Sequence, residues 1–364
     1  MRFDVTTRVD IPPHLSQRLS VFTLVNALFI VLIHSAPVPE RGTWQWWLVE
    51  FLGRDGVCRI AVPYFFLVGG FFLAGHICEK RWWFREVQKR LISLVIPYFL
   101  WIIIGLCVNF FFYVGIQLYG MSCGFANPFY RPFHLWLINT LGFNPFQNEI
   151  GILWFVRDLF VLVIIAPLLI FLLKRTGRFF LLALIFIVYC FVSVLQVNVD
   201  KRVYNLFEYF ISVRGLLYFT IGLVLRYIHF QDMSSAFTKL GVLLIGCLMV
   251  LIKITFIALG YLRIATILDV IMVPILGSGM FIALEHVTLP SWMIGKAFPI
   301  YLLHQTFLLF SIVIITLLGF RDMMNASIVI WLIRFTFAVT LSFWVSIFIR
   351  NYMPTVSKLL FGGR

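Results

Sequence analysis

Charge is what this chain has least of. Only 12% of its 364 residues are Asp, Glu, Lys or Arg, about half the share usual in a soluble domain. No polar stretch is long enough to form a soluble domain of its own. The six cysteines (58, 78, 107, 123, 190, 247) are scattered and form no CxxC pair. No HExxH or clustered His/Cys spacing is present, so neither a metal site nor a disulfide framework is indicated. The cysteines read as small apolar fillers. Despite a net charge of +14, no nucleic-acid reader motif occurs, which excludes a nucleic-acid partner. The first apolar run lacks a small-residue cleavage site and ends in His34-Ser35-Ala36-Pro37. It reads as a retained span, not a signal peptide.

Apolar surface is abundant. The hydrophobic class makes up 62% of the chain, with 41 Phe, and mean hydropathy is +1.00. A water-soluble sphere could not hide that surface, so lipid must serve as much of its solvent. Runs long enough to cross a bilayer occur at 19–36, 57–77, 91–116, 153–173, 178–197, 206–228, 238–259, 264–284, 297–318 and 327–350. No period-two pattern appears, and backbone groups in lipid must be satisfied internally, so these are helices. The fold class is therefore all-α: a polytopic transmembrane bundle of about ten spans forming a single domain.

Placing the N-terminus in the cytoplasm puts 17 Lys/Arg in inner segments and 7 in the longer outer ones. That bias orients the protein with both termini cytoplasmic. Two outer loops, about 37–56 and 117–152, exceed what a connection needs. The second is rich in Pro and aromatics and reads as an ordered cover.

Five basic residues remain inside spans: Arg59, Arg157, Arg214, Lys253 and Arg334. Charge at membrane depth is costly and marks function or interfacial snorkelling. With Glu208, Asp269 and His34 they gather in the outer half of the bundle. On span one, Thr23, Asn26, Ile30 and His34 share a helical face. A stripe carrying Asn and His would line a polar interior, and His suits a general base. On span two, Arg59, Pro63, Phe66 and Gly70 share a face, and the Gly69-Gly70 pair permits close helix approach. His304 falls in the inner half of span nine, to line a path or bond a neighbouring helix. The inner loop sets Lys80, Arg81, Arg85, Lys89 and Arg90 close together. The positive-inside rule by itself predicts such a loop.

Four stretches carry a wider likeness: ALFIVLIHS (27–35), RIAVPYFFLVGGFFLAG (59–75), KRLISLVIPYFLW (89–101) and LWFVRDLFVLVIIAPLL (153–169). Weaker echoes are YFTIGLVLR (218–226) and AFPIYLLHQTFL (297–308). In this order they resemble the type-3 integral-membrane acyltransferases, bacterial enzymes that O-acylate surface carbohydrates. The chain departs from that pattern at Thr23, where the family often has Arg eleven residues before the first-span His. It departs again at Gly69, where Ser is common. Arg18 lies toward the opposite face from His34 and does not replace the missing Arg. The fused extracytoplasmic domain of some relatives is not expected here.

The resemblance implies that an acyl group, commonly acetyl, passes from cytosolic acyl-CoA to a carbohydrate hydroxyl at the outer face of the inner membrane. Acyl-CoA is then a co-substrate, with no tightly bound cofactor. The catalytic candidates are His34, Arg59 and Arg157. Asn26, Glu208, Arg214, Asp269 and His304 are candidates to contact substrate, and Arg85, Lys89 and Arg90 to contact the CoA phosphates. A transporter or lipid-linked sugar flippase would also need ionisable groups at depth, and a membrane scaffold would not. The acceptor glycan, the acyl chain and the oligomeric state cannot be read from these residues.

Overall fold

The structure is a computed structural model that describes residues 11–118, 151–198, 212–227, 236–320, 322–325 and 327–363. Among the described residues every regular element is helical. In chain order they are α1 (Pro13–Ser35), α2 (Trp44–Val49), α3 (Ala61–Ala74), α4 (Trp82–Arg90), α5 (Ile96–Leu118), α6 (Trp154–Thr176), α7 (Arg178–Asn198), α8 (Val213–Leu225), α9 (Ala236–Ala258), α10 (Leu262–Ala283), α11 (Ala297–Leu317), α12 (Ile328–Tyr352) and α13 (Pro354–Phe361). Among the described residues eight segments are long and apolar enough to cross a membrane, and Arg178–Val192 and Val213–Leu225 are shorter apolar helices. This is a multi-pass membrane protein.

Local chemistry sets the helix ends. Pro13 opens α1, where its missing N–H costs nothing. Ser212 accepts from the Gly215 N–H at α8, and Ser327 from the Ile330 N–H at α12, each satisfying a donor orphaned at the helix start. Arg41 donates to the Ile257 and Ala258 carbonyls, closing the C-terminal end of α9. The first outer loop is more regular than its composition suggests. It holds α2 and a widened turn over Glu50–Arg54, and a 3₁₀ turn over Val57–Ile60 leads into α3.

Glycine sets the closest helix crossings. A Cβ on Gly70 would run into the Phe219 carbonyl, and one on Gly222 into the Leu67 carbonyl. The α3 and α8 backbones therefore touch, the small-residue packing that lipid-embedded helices use. Gly246 and Gly279 do the same where α9 meets α10, against Leu276 and Leu243. Aromatic rings fill the space beside the first crossing. Phe66 packs edge-on to Phe155 at 4.8 Å, and Phe155 packs on Tyr301 at 5.8 Å. That ring chain ties α3 through α6 to α11. A second small core joins α1, α11 and α12 through Ala27, Val31, Ile300, Leu308 and Ala338. Helices from the two ends of the chain thus meet around α1.

Candidate active site

The meeting of α1, α11 and α12 carries the densest chemistry. The His34 ring lies 5.4 Å, centroid to centroid, from that of His304. One comes from the last turn of α1 and the other from the second turn of α11. The two spans had seemed to hold them at different depths. They meet because α1 begins early, at Pro13, and stops at Ser35, short of the outer end of its neighbours. Arg334 of α12 donates to the Ser35 carbonyl at 3.2 Å and faces Ser311 of α11 at 3.4 Å. α11 then continues six residues past Ser311, to Leu317, which is about 9 Å of helix. His34 is thus recessed within the bundle. Its ring packs on that of His304 while part of its surface stays open.

The neighbours of His304 fix its tautomer. Its Nδ1 lies 2.7 Å from the Tyr301 carbonyl oxygen. A carbonyl only accepts, so Nδ1 carries the proton and Nε2 keeps the lone pair. Nε2 is buried and has no protein partner among the described residues. Tyr301 is itself held, its hydroxyl donating to the Ile152 carbonyl just before α6. An oriented imidazole with a free, buried lone pair is the geometry a proton acceptor needs. The end of α1 is held as firmly. The Trp331 indole N–H reaches the Leu32 carbonyl and Ser35 Oγ, both at 3.1 Å.

The remaining sequence candidates fall into separate groups. Arg59, in the turn before α3, donates from Nε to Asp269 Oδ2 at 2.9 Å. Lys253 of α9 reaches Asp269 Oδ1 at 2.7 Å and Asp55 Oδ1 at 3.2 Å. Arg214, half-buried in the first turn of α8, adds its field at Asp269. Asp269 is inside α10 and almost fully buried, so it anchors this network. The Arg59 side chain keeps 37% of its surface open.

Arg157 pairs with its neighbour Asp158, whose second oxygen accepts the Ser212 N–H at 2.9 Å. Asn26 is fully buried on α1, donating to the Phe22 carbonyl at 2.6 Å while its Oδ1 has no protein partner among the described residues. On α4, Arg85 lies 3.6 Å from Glu79, and Lys89 and Arg90 each lie 3.5 Å from Glu86. Glu208 lies outside the described residues, as does most of the second outer loop. At the Thr23 position the threonine hydroxyl bonds the Leu19 carbonyl at 2.6 Å. Arg18 instead pairs with Glu285 at 3.4 Å. It does not substitute for the absent Arg.

Arg334 was visible in the sequence only as one more basic residue at depth. Its role as the contact to Ser35 depends on how α12 packs. A cavity of about 230 Å³ opens near the starts of α1 and α11, bordered by Ser16, Ser20, Thr23, Met293 and Ala297. Thr23 shares the His34 face of α1, with buried Ala27 and Ile30 between them.

A multi-pass helical bundle with paired imidazoles and several charges in its interior is of the class built to do chemistry within a membrane. Comparison with known families defines it further. Residues 25–350 match the acyltransferase 3 family, described as an acyltransferase domain. The chain belongs to that family and is a membrane acyltransferase. No curated protein and no solved structure matches it.

Proposed function

We propose that the protein transfers an acyl group, acetyl foremost, from cytosolic acyl-CoA to a hydroxyl of a cell-surface or exported carbohydrate across the bacterial inner membrane. The observation that carries this reading is the His34–His304 pair, 5.4 Å apart inside the bundle. Among the described residues no donor occupies the His304 lone pair. A flippase would need charge at depth but has no use for an oriented base.

The chemistry needs no resident group. The acceptor hydroxyl gives its proton to a histidine Nε2 while its oxygen attacks the thioester carbonyl carbon. A C–O bond forms, and the carbonyl pair moves onto oxygen. That pair then returns, the C–S bond breaks, and the leaving sulfur takes a proton from the imidazolium. The products are the ester and free CoA. His34, with its open face, meets the substrates. His304 lies behind it to share or relay the proton.

Arg59 keeps an open face and is held in place by Asp269, which suits it to orient a bound group. Arg157, clamped to Asp158, is the second guanidinium proposed to act on the reacting groups. The donor enters from the inner end, where the cavity beside Ser16, Ser20 and Thr23 opens on the His34 face of α1. Arg85, Lys89 and Arg90 attract its phosphates. Their carboxylate partners leave that attraction modest, since exposed pairs contribute little. Asn26, Arg214 and Glu208 are proposed to contact the acceptor.

The test is labelled acetyl-CoA turnover by reconstituted wild type and His34→Ala with a glycan panel. Turnover by wild type and its loss in a folded His34→Ala support the reading. Undiminished turnover in His34→Ala removes His34 from the mechanism.

A further inference from the structure

The buried cations of this bundle differ in what they face. Arg59 and Lys253 share Asp269, and Arg157 has Asp158. Among the described residues, the hydrogen-bond partners of Arg334 are neutral. Its Nε faces the Ser311 hydroxyl at 3.4 Å and its Nη1 donates to the Ser35 carbonyl at 3.2 Å. Among the described residues no carboxylate pairs with it, and its Nη2 has no acceptor yet is not sealed off. Arg334 is only 8% exposed. It lies on the buried stripe of α12 with Trp331, Ala338, Ser342 and Ser346, the face turned toward α1 and α11. Its anchor on α1, Ser35, is one residue along the chain from His34, so the guanidinium lies at the end of α1 that carries the imidazole.

An unmatched guanidinium at this depth is expensive. The carbonyl end of α1 offsets part of that cost, because a cation is favourable at a helix C-terminus. A partial dipole is nevertheless a weak substitute for a full negative charge. The arrangement makes sense if the missing charge arrives during the reaction. We propose that Arg334 is a catalytic residue whose free Nη2 takes the oxyanion formed when the acceptor oxygen attacks the thioester carbonyl. This rests on the acyl-transfer reading above. The guanidinium stays protonated throughout. The oxygen gains the carbonyl electron pair, holds it against Arg334, and returns it as the C–S bond breaks. A donor held in advance by Ser311 and Ser35 need not reorganise at that moment, and low polarity makes its charge count for more than in water.

The experiment measures CoA release from acetyl-CoA by purified full-length protein, with and without glycan. Wild type, His34→Ala, Arg334→Gln and Arg334→Lys are compared, each checked for an unchanged thermal midpoint. The expected result is a fall in kcat of about 10²–10³-fold for Arg334→Gln, the usual loss for one oxyanion donor, with little change in KM for acetyl-CoA. Arg334→Lys should recover only part of the rate, since an ammonium lacks the fork. Added guanidinium ion should partly rescue Arg334→Ala, which a purely structural role would not allow.

A wild-type rate in Arg334→Gln alongside an inactive His34→Ala overturns this proposal and leaves the transfer reading standing. A loss confined to acidic glycans, with glycan-free CoA release untouched, overturns it in favour of a site for a fixed negative group on the acceptor. Absence of CoA release by wild type overturns both. Should Arg334→Gln unfold, Arg334→Lys decides: full turnover with unchanged KM counts against the proposal, and reduced kcat supports it.

Discussion

At the scale of single residues, His304 is the position where burial and chemistry coincide most closely. His304→Gln keeps a polar side chain but removes the imidazole proposed to share or relay the proton. It should lower acyl-CoA turnover by about 10²–10⁴-fold, the usual contribution of a positioned proton acceptor, with a thermal midpoint near wild type. Steady-state CoA release checks it. Asp269 predicts the opposite pattern. It neutralises Arg59 and Lys253 together, so Asp269→Asn leaves Arg59 without a carboxylate and Lys253 with Asp55 alone. Breaking a buried pair typically costs about 3–5 kcal/mol. The expected outcome is a large drop in the thermal midpoint in detergent, whatever happens to turnover. A midpoint equal to wild type would show that water, not Asp269, satisfies the two cations.

At the scale of helices, the α3–α8 crossing is the contact with least room. Gly222→Val places a branched side chain against the Leu67 carbonyl, where no flexible group can yield. Forcing the helices apart also moves Phe66, whose ring sits against Gly215 and Phe155. Gly222→Val should therefore be poorly recovered and aggregate in size-exclusion chromatography. Gly241→Val on α9, where a Cβ meets open space, should behave like wild type. The Gly69-Gly70 pair advertised this crossing in the sequence, because adjacent small residues in an apolar run signal close approach. Its partner did not. Gly222 looks like any other glycine until α8 is laid against α3.

At the scale of the whole molecule, the arrangement in the membrane follows from loop charge. If both termini are cytoplasmic, as loop charge predicts, the turn after α3 faces the cytoplasm and the segment after α1 faces outward. In intact cells, an impermeant maleimide should label a cysteine at Glu40, an exposed position, and spare the exposed Cys78 until the membrane is opened. Labelling of Cys78 alone in sealed cells would invert the orientation. An inversion would also move the Ser16–Thr23 cavity to the outer side, and acyl-CoA could no longer reach it from the cytosol.

What the sequence by itself determined follows from properties that add along the chain. Apolar length makes the helices, scarcity of charge makes lipid the solvent, and Lys/Arg asymmetry assigns sides. The spaced motifs from His34 to His304 pointed to the acyltransferase 3 family, whose match covers residues 25–350. Pairing does not add in this way. Which cation meets which carboxylate depends on helices far apart in the chain. Arg59 and Asp269 are 210 residues apart, and Ser35 and Arg334 are 299 apart. His34 looked like the outer end of a span because its own run stops there. Only packing showed it recessed beside His304, since depth in a bundle is set by how far the neighbouring helices extend. Arg334 meets the Ser311 hydroxyl and the Ser35 carbonyl, where Arg59 and Lys253 meet a shared carboxylate. Only the tertiary structure could decide that, because it depends on what faces the guanidinium from other helices.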